Sequence, residues 1–416
     1  MSEADSLWTE GVRAYFLDAG GGEPEGALRY FQASLAEASA SPRAPLALRL
    51  LFCARLLLEA GCRELAVGFL RRAVCEDPEL HEAHVELCLV LSEAGDAPGA
   101  RAAAASAIVE GGLWRDPWQR PSAFLPGLDS QPFWDADRFP WVLELETAFG
   151  AIRAELDCLM HSTHWQPVGG DHRSSGRSDG DAVLRGDWQE IVLFGYEEEA
   201  GDAGRRAAPV AADIVRRLIP EAVSMAEQGA GEVVLSTLAP GTQVAAHCAR
   251  TNHRLTCHLG LRVPRTPGSG RTGDASARPR CGLRVGGQQR EWCEGKALVF
   301  DDSYEHEVWN DTKDPRVVLL VRFWHPSLAS APVRARALEL LQGDLATAQR
   351  RRLLPPLGPG LQEPGEALEG LLRGSAGAVG DPCPYCNKEY EGGALGISED
   401  GSRVVLTAQC CGRTVE

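Results

Sequence analysis

The chain has 416 residues, with 58 Asp and Glu against 42 Lys and Arg, a formal charge of −16, 44% hydrophobic residues, 13 cysteines and 10 tryptophans. That length predicts two or three domains, and the apolar fraction excludes wholesale disorder. The acidic surplus argues against nucleic acid or an anionic membrane as the main partner, because phosphate binding needs a face rich in Lys and Arg.

The cysteine count is odd and most thiols lie in apolar contexts, so a reducing compartment is expected rather than a disulfide framework. Met1-Ser2-Glu3-Ala4-Asp5 carries acid where a signal peptide would carry base. The longest apolar stretch, Leu46 to Ala60, is broken by Arg49 and Arg55 and predicts no membrane span. A cytoplasmic protein is the expectation.

Residues 1–114 carry apolar positions at helical spacing. Adding the tetratricopeptide period of about 34 residues to Ala66, Leu70 and Ala73 lands on Ala100, Ala104 and Ala107, which predicts paired helices with small residues at their crossings. Ala27, Phe31 and Ser34 read as a degenerate first repeat. A stretch holding Trp114, Trp118, Pro121, Pro126, Pro132, Trp134, Pro140 and Trp141 has too many prolines for a long helix and marks a domain boundary near residue 115. Helical periodicity returns over Phe139 to Met160, and His172 to Gly186 reads as a polar loop.

From Gly231 short strand patterns follow one another. They run Val233 to Leu238, Thr242 to His247, Arg254 to Val263, Cys281 to Val285, Gln288 to Trp292, Lys296 to Phe300 and Pro315 to Trp324, with turns at Pro240-Gly241 and Gly286-Gly287. Such a run without intervening helices predicts an antiparallel barrel or double-stranded β-helix. Ala329 to Arg352 reads as helix, 354–382 as a Pro/Gly-rich linker, and the last 34 residues hold four cysteines. The predicted fold class is therefore multidomain α plus β. It comprises helical repeats at 1–114, a jelly-roll barrel with flanking helices at 115–330, helix and linker at 331–382, and a cysteine-rich module at 383–416.

Two histidines at strand–loop junctions, His247 and His306, are candidate metal ligands, since imidazole suits Fe(II) in sites that keep open positions for oxygen and co-substrate. Arg316 opens a hydrophobic strand and is placed to meet a carboxylate bidentately from a buried position. His325, before Pro326, reads as structural.

Four blocks resemble the aspartyl/asparaginyl β-hydroxylase family of Fe(II)- and 2-oxoglutarate-dependent dioxygenases in order and spacing. They are Ala239-Pro240-Gly241-Thr242, the run from His247 to Leu261, the run from Glu294 to Ser303, and Phe323-Trp324-His325-Pro326. Pro126-Gly127-Leu128, Pro132-Phe133-Trp134 and Gly186-Asp187-Trp188 extend the similarity over about 126–328. The resemblance implies a cupin-like jelly roll. It implies His247 and His306 as iron ligands, Ser236, His258 and Arg316 as contacts for 2-oxoglutarate, and O2 as the oxidant. A peptidyl Asp or Asn β-carbon is the implied target, with a protein or peptide substrate presented by the helical repeats. Trp188 reads equally as a wall of the substrate cleft or as core.

The sequence departs from the family pattern twice. Ala249 stands where a facial triad places a carboxylate, as in the members it resembles most, which hold iron with two histidines and water. Thr256 stands where those members have an arginine two residues before His258. Strand alternation puts Arg254, Thr256 and His258 on one face, so Arg254 is a candidate to compensate in part. Loss of one cationic contact would weaken co-substrate binding by about 1.5–3 kcal/mol. Asp301 and Asp302 are a further, weaker source of a carboxylate for iron.

In the tail, Cys383-Pro384-Tyr385-Cys386 and Cys410-Cys411 bracket a hairpin over Ala394 to Ile397 and Val404 to Thr407, which predicts structural zinc on four thiolates. A redox Cys383–Cys386 pair is the alternative. The other nine cysteines, Cys248 and Cys257 among them, read as buried thiols. The rival to an enzyme is a non-catalytic helical-repeat adaptor with a degenerate barrel. A dioxygenase acting on a small molecule or a lipid head group is a third reading.

Overall fold

A computed structural model of the chain describes residues 43–59, 63–168, 183–195, 198–264, 278–353, 393–397, 404–408 and 414–415. The degenerate first repeat and Cys383, Cys386, Cys410 and Cys411 lie outside them. The chain divides into two compact units, one of 1–91, 109–113 and 350–416, the other of 92–108 and 114–349.

In the first unit, α1 (Arg43–Glu59) and α2 (Arg63–Glu76) pair, followed by the start of α3 (His81–Glu93). Ala54, Ala66 and Ala73 are fully buried, so the two backbones approach where side chains are small, while Leu57, Phe69 and Leu70 fill the seam. Arg55 reaches from α1 to Glu86 on α3 at 3.2 Å. Two strands of the tail, β13 (Gly393–Ile397) and β14 (Val404–Ala408), pair antiparallel as the expected hairpin, and β15 (Thr414–Val415) pairs with β14.

The second unit opens with α4 (Ala97–Ser106), whose first turn is capped by Asp96 accepting from the Gly99 amide at 2.8 Å. Two helices, α5 (Pro140–Thr147) and α6 (Phe149–Leu159), occupy the segment of expected helical periodicity. The barrel strands are β1 (Phe133–Trp134), β2 (Gln166–Pro167), β3 (Val183–Arg185), β4 (Trp188–Phe194), β5 (Val233–Leu238), β6 (Thr242–His247), β7 (Arg254–Arg262), β8 (Cys281–Val285), β9 (Gln288–Arg290), β10 (Ala297–Phe300), β11 (His306–Asn310) and β12 (Arg316–Trp324). Between β4 and β5 lie α7 (Glu198–Ala207), α8 (Pro209–Leu218) and α9 (Pro220–Glu227), and α10 (Ala331–Leu353) follows β12.

All strand pairs are antiparallel, in a seven-stranded sheet of order β1-β10-β7-β12-β5-β4-β2 and a five-stranded sheet of order β3-β6-β11-β8-β9. One face of the larger sheet packs on helices: Leu255, Cys257, Leu259 and Leu261 of β7, with Val317, Leu319, Val321 and Phe323 of β12, share a core with Leu145, Ile152 and Val215. The opposite face meets the smaller sheet, where Val234, Val318 and Leu320 pack on Val244, Leu283 and Val308. Period-two alternation therefore sends Arg254, Thr256, His258, Ser236, Arg316 and Arg322 between the sheets.

Turn chemistry agrees with the register. Gly286 and Gly287 have φ of +54° and +79°, the doubly positive geometry of a tight hairpin that joins β8 to β9. Two expectations are corrected. The end of the expected polar loop is strand, because Val183 and Arg185 pair with β6. The thiols outside the tail are not uniformly buried: Cys75, Cys158 and Cys293 are exposed on helix and loop surfaces, whereas Cys53, Cys88, Cys257 and Cys281 are buried.

Candidate active site

The two histidines face each other. Strands β6 and β11 are neighbours in the smaller sheet, with His247 and His306 in register and a bulge immediately after His306. Their ring centroids are 4.3 Å apart. Each Nδ1 lies on a backbone carbonyl two residues back, His247 on Ala245 at 2.8 Å and His306 on Tyr304 at 2.9 Å. A carbonyl only accepts, so both Nδ1 atoms carry the proton and each Nε2 carries the lone pair, the form in which imidazole suits a metal.

No third carboxylate, thiolate or imidazole completes a cluster with them among the described residues. Ala249 is buried and its amide donates to the Asp302 carbonyl at 2.8 Å. Asp301 accepts from the Ser303 amide at 3.0 Å, the Ser303 hydroxyl at 2.5 Å and Gln119 Nε2 at 3.2 Å. Asp302 accepts from Thr256 and pairs with Arg254 and Arg322. Both carboxylates serve the packing of the turn, so the reading that one of them ligates iron is corrected.

Deeper between the sheets the polar groups are unsatisfied. Arg316 is 2% exposed, and its Nε and Nη1 have no hydrogen-bond partner among the described residues. Its guanidinium stacks over the Trp292 ring at 4.6 Å, and burial pulls its pKa down to about 10. His258 Nδ1 accepts from the Trp292 indole at 3.2 Å, which places its own proton on Nε2, a buried atom without a partner. Burial first, then the charges of Arg316, Arg322 and His306, holds this imidazole well below its ordinary pKa and keeps it a neutral donor. Ser236 Oγ accepts from the Trp188 indole at 2.9 Å, leaving the hydroxyl hydrogen to donate. Register puts Ser236, His258 and Arg316 on one face of three adjacent strands.

A buried cation and a buried N–H without acceptors cost several kcal/mol unless an anion arrives. The donor set is complementary to a carboxylate, and the histidine pair to a divalent metal. These residues fit the groups expected from the sequence.

The other half of the site is a cluster of ion pairs and hydrogen bonds around Asp302 and Glu305. Thr256 Oγ1 donates to Asp302 Oδ2 at 3.0 Å. Arg254 sends Nη1 to the Ala230 carbonyl at 3.0 Å and Nη2 to Asp302 at 3.5 Å, so its head turns toward a loop and the acidic turn. Glu305, next to His306, is gripped by Arg101 and Arg120, and its amide donates to the Trp118 carbonyl at 2.6 Å. Gln119 adds bonds to Asp301 and Ser303, which fastens the Trp/Pro-rich segment to the strand that carries His306.

Trp188 packs at the margin of the inter-sheet core with its N–H on Ser236. His325 is structural, between the Asp129 carbonyl at 2.8 Å and the Ser327 amide at 3.1 Å. Sequence reasoning missed Trp292, Gln119, Arg120, Glu305 and Arg322. Only Arg322 left a signal: it lies six residues after Arg316, so the two share a strand face.

Residues 146–326 match the family model of the Aspartyl/Asparaginyl beta-hydroxylase. Human aspartyl/asparaginyl beta-hydroxylase is 30% identical over 224 residues, covering 53% of this chain and 26% of that protein. The human aspartate beta-hydroxylase domain-containing protein 1 is 32% identical over 228 residues, covering 52% and 50%. The ornithine lipid ester-linked acyl 2-hydroxylase of Rhizobium tropici is 31% identical over 199 residues, covering 48% and 62%.

The fold and site thus define a hydroxylase-type barrel with two facing histidines. Over residues 146–326 the chain is similar to the aspartyl/asparaginyl β-hydroxylase family. It spans about a quarter of the length of the human β-hydroxylase it matches. Among the described residues no helix is long and apolar enough to cross a membrane.

Proposed function

We propose that the chain is an Fe(II)- and 2-oxoglutarate-dependent dioxygenase that hydroxylates a peptidyl Asp or Asn at the β-carbon. The reading rests on one observation: a buried guanidinium and a buried imidazole N–H, both without acceptors, behind a histidine pair whose Nε2 atoms are free of protons. Iron held there would couple oxidative loss of CO2 from the 2-oxo acid to insertion of one oxygen atom into a C–H bond.

The chain's own residues do the rest. His247 and His306 donate lone pairs, with orientation fixed by the Ala245 and Tyr304 carbonyls. Arg316, with the Ser236 hydroxyl, takes the far carboxylate in a dry pocket where a charge-assisted bond is strong. His258 donates from Nε2, and Trp292 holds it in that tautomer. Trp188 donates to Ser236 Oγ, which supports a part in the co-substrate pocket beside the substrate-cleft reading.

A polypeptide substrate presented by the helical repeats fits the first relatives' names, and concave helical arrays bind extended segments. A lipid substrate is the second reading, supported by the Rhizobium relative, whose name describes an acyl hydroxylase. Structural zinc on Cys383, Cys386, Cys410 and Cys411 remains a proposal for the tail; zinc content unchanged by Cys383→Ser would remove it.

Succinate release by the full chain should require both Fe(II) and 2-oxoglutarate and should vanish in His306→Ala. Iron-loaded protein that consumes no 2-oxoglutarate with either peptide or lipid libraries would refute the enzyme and favour the adaptor. A mass gain of one oxygen on captured peptides, or on lipids, decides between the two substrates.

A further inference from the structure

Thr256 stands where the resemblance leads one to expect an arginine, and a buried cation lies beside it. Arg322 lies directly across the sheet, paired with Thr256 at one rung of β7 and β12, and the next same-face rung pairs Leu320 with His258. Alternation sends Val321 and Phe323 into the helix-side core and Arg322 to the face of Thr256 and His258. Both side chains converge on one atom: Thr256 Oγ1 donates to Asp302 Oδ2 at 3.0 Å, and Arg322 Nε approaches the same oxygen at 3.3 Å. Nη1 of Arg322 is held by Glu232.

A threonine is too short to carry charge to this spot. An arginine on the adjacent strand is long enough to reach it, and its buried head is fixed by two carboxylates rather than swinging in solvent. Arg322 is also close enough to His258 for its charge to help keep that imidazole neutral. Arg254, the other candidate, spends one donor on the Ala230 carbonyl.

We propose that Arg322 supplies, from the neighbouring strand, the second cation of the co-substrate pocket, and favours the C1 carboxylate of a five-carbon 2-oxo dicarboxylate. This rests on the dioxygenase reading above. Arg316 takes the far carboxylate in the deep end of the same face, and Arg322 stands at the metal end, near Asp302 and the His247 loop that bonds to it. A cation one strand over from Thr256 lets the pocket keep a preference for a dianion.

Calorimetric titration of the Mn(II)-loaded full chain tests this with two ligands: 2-oxoglutarate, and 4-oxopentanoate, which lacks the C1 carboxylate. Arg322→Gln should weaken 2-oxoglutarate about tenfold, leave 4-oxopentanoate within about twofold, and recover most of the loss when Thr256→Arg is added. A folded Arg322→Gln chain that binds 2-oxoglutarate like wild type overturns the proposal. Equal weakening of both ligands, the mark of a merely structural role, also overturns it, as does failure of the double variant to recover. Should Arg322→Gln not fold, Arg322→Lys decides: retained 2-oxoglutarate affinity supports the proposal, and a loss of about tenfold in a folded chain overturns it. Wild-type protein that binds neither ligand refutes the dioxygenase reading itself, a result distinct from these.

Discussion

The two ends of the inter-sheet site are built differently. At the deep end, Arg316 and His258 are buried with donors that nothing in the fold accepts. At the acidic turn, Asp301, Asp302 and Glu305 are as deeply buried, and each accepts from two or more neighbouring groups. Burial alone therefore does not mark a functional residue; among the described residues Arg254 and Arg322 lie beside carboxylates, whereas Arg316 is buried against the Trp292 ring. The turn fixes the histidine strands and holds the Arg322 head in place, and the deep end carries its electrostatic strain until a ligand relieves it.

This contrast can be broken at its closed end first. Asp302→Asn removes the charge that Arg254 and Arg322 share, and should lower the unfolding free energy by about 3–5 kcal/mol in urea titration. A loss below about 1 kcal/mol would mean that the turn is not a closed ion network.

A smaller effect is expected from pH. Burial, aided by the charge of Asp302, pushes the Asp301 carboxyl up to about 7, against the opposing hydrogen bonds of Ser303. The folded state therefore holds this proton more tightly than the unfolded chain. Its contribution to stability is complete below the unfolded pKa near 3.8 and is lost as pH rises through about 7. Urea midpoints of wild type and Asp301→Asn should diverge in slope across that window, the variant being the flatter.

The smallest change sharpens the open end. Trp188→Phe deletes one donor to Ser236 and should cost about 1 kcal/mol of 2-oxoglutarate binding, with little effect on metal affinity measured in the same titration. An equal loss of metal affinity would place Trp188 in the support of the histidines instead.

Much of the barrel was legible because turn residues and strand propensity agreed. Val233 to Leu238, Thr242 to His247 and Cys281 to Val285 occupy the residues their patterns predict, each bounded by glycine or proline turns. Strand β4 was not legible, since Trp188-Gln189-Glu190 opens it with polar residues and both its faces are covered, which removes the alternation a half-buried strand shows. The site divided in the same way. His247, His306 and Arg316 could be named from residue type and place along a strand, and Ser236 and His258 from family resemblance. Glu305, Gln119 and Trp292 act through partners between 11 and 204 residues away, or across strands whose pairing no local pattern encodes.

The open valence of Arg316 is the centre of the account, and thermal unfolding of wild type and Arg316→Met, each with and without 2-oxoglutarate and Mn(II), tests it most directly. Without ligand, the variant should be more stable than wild type by about 1–4 kcal/mol, because an uncompensated buried charge has been replaced by an apolar chain of similar length. With ligand, wild type should gain stability and the variant should not. A variant that is less stable without ligand, or that gains as much from 2-oxoglutarate as wild type does, would contradict the account.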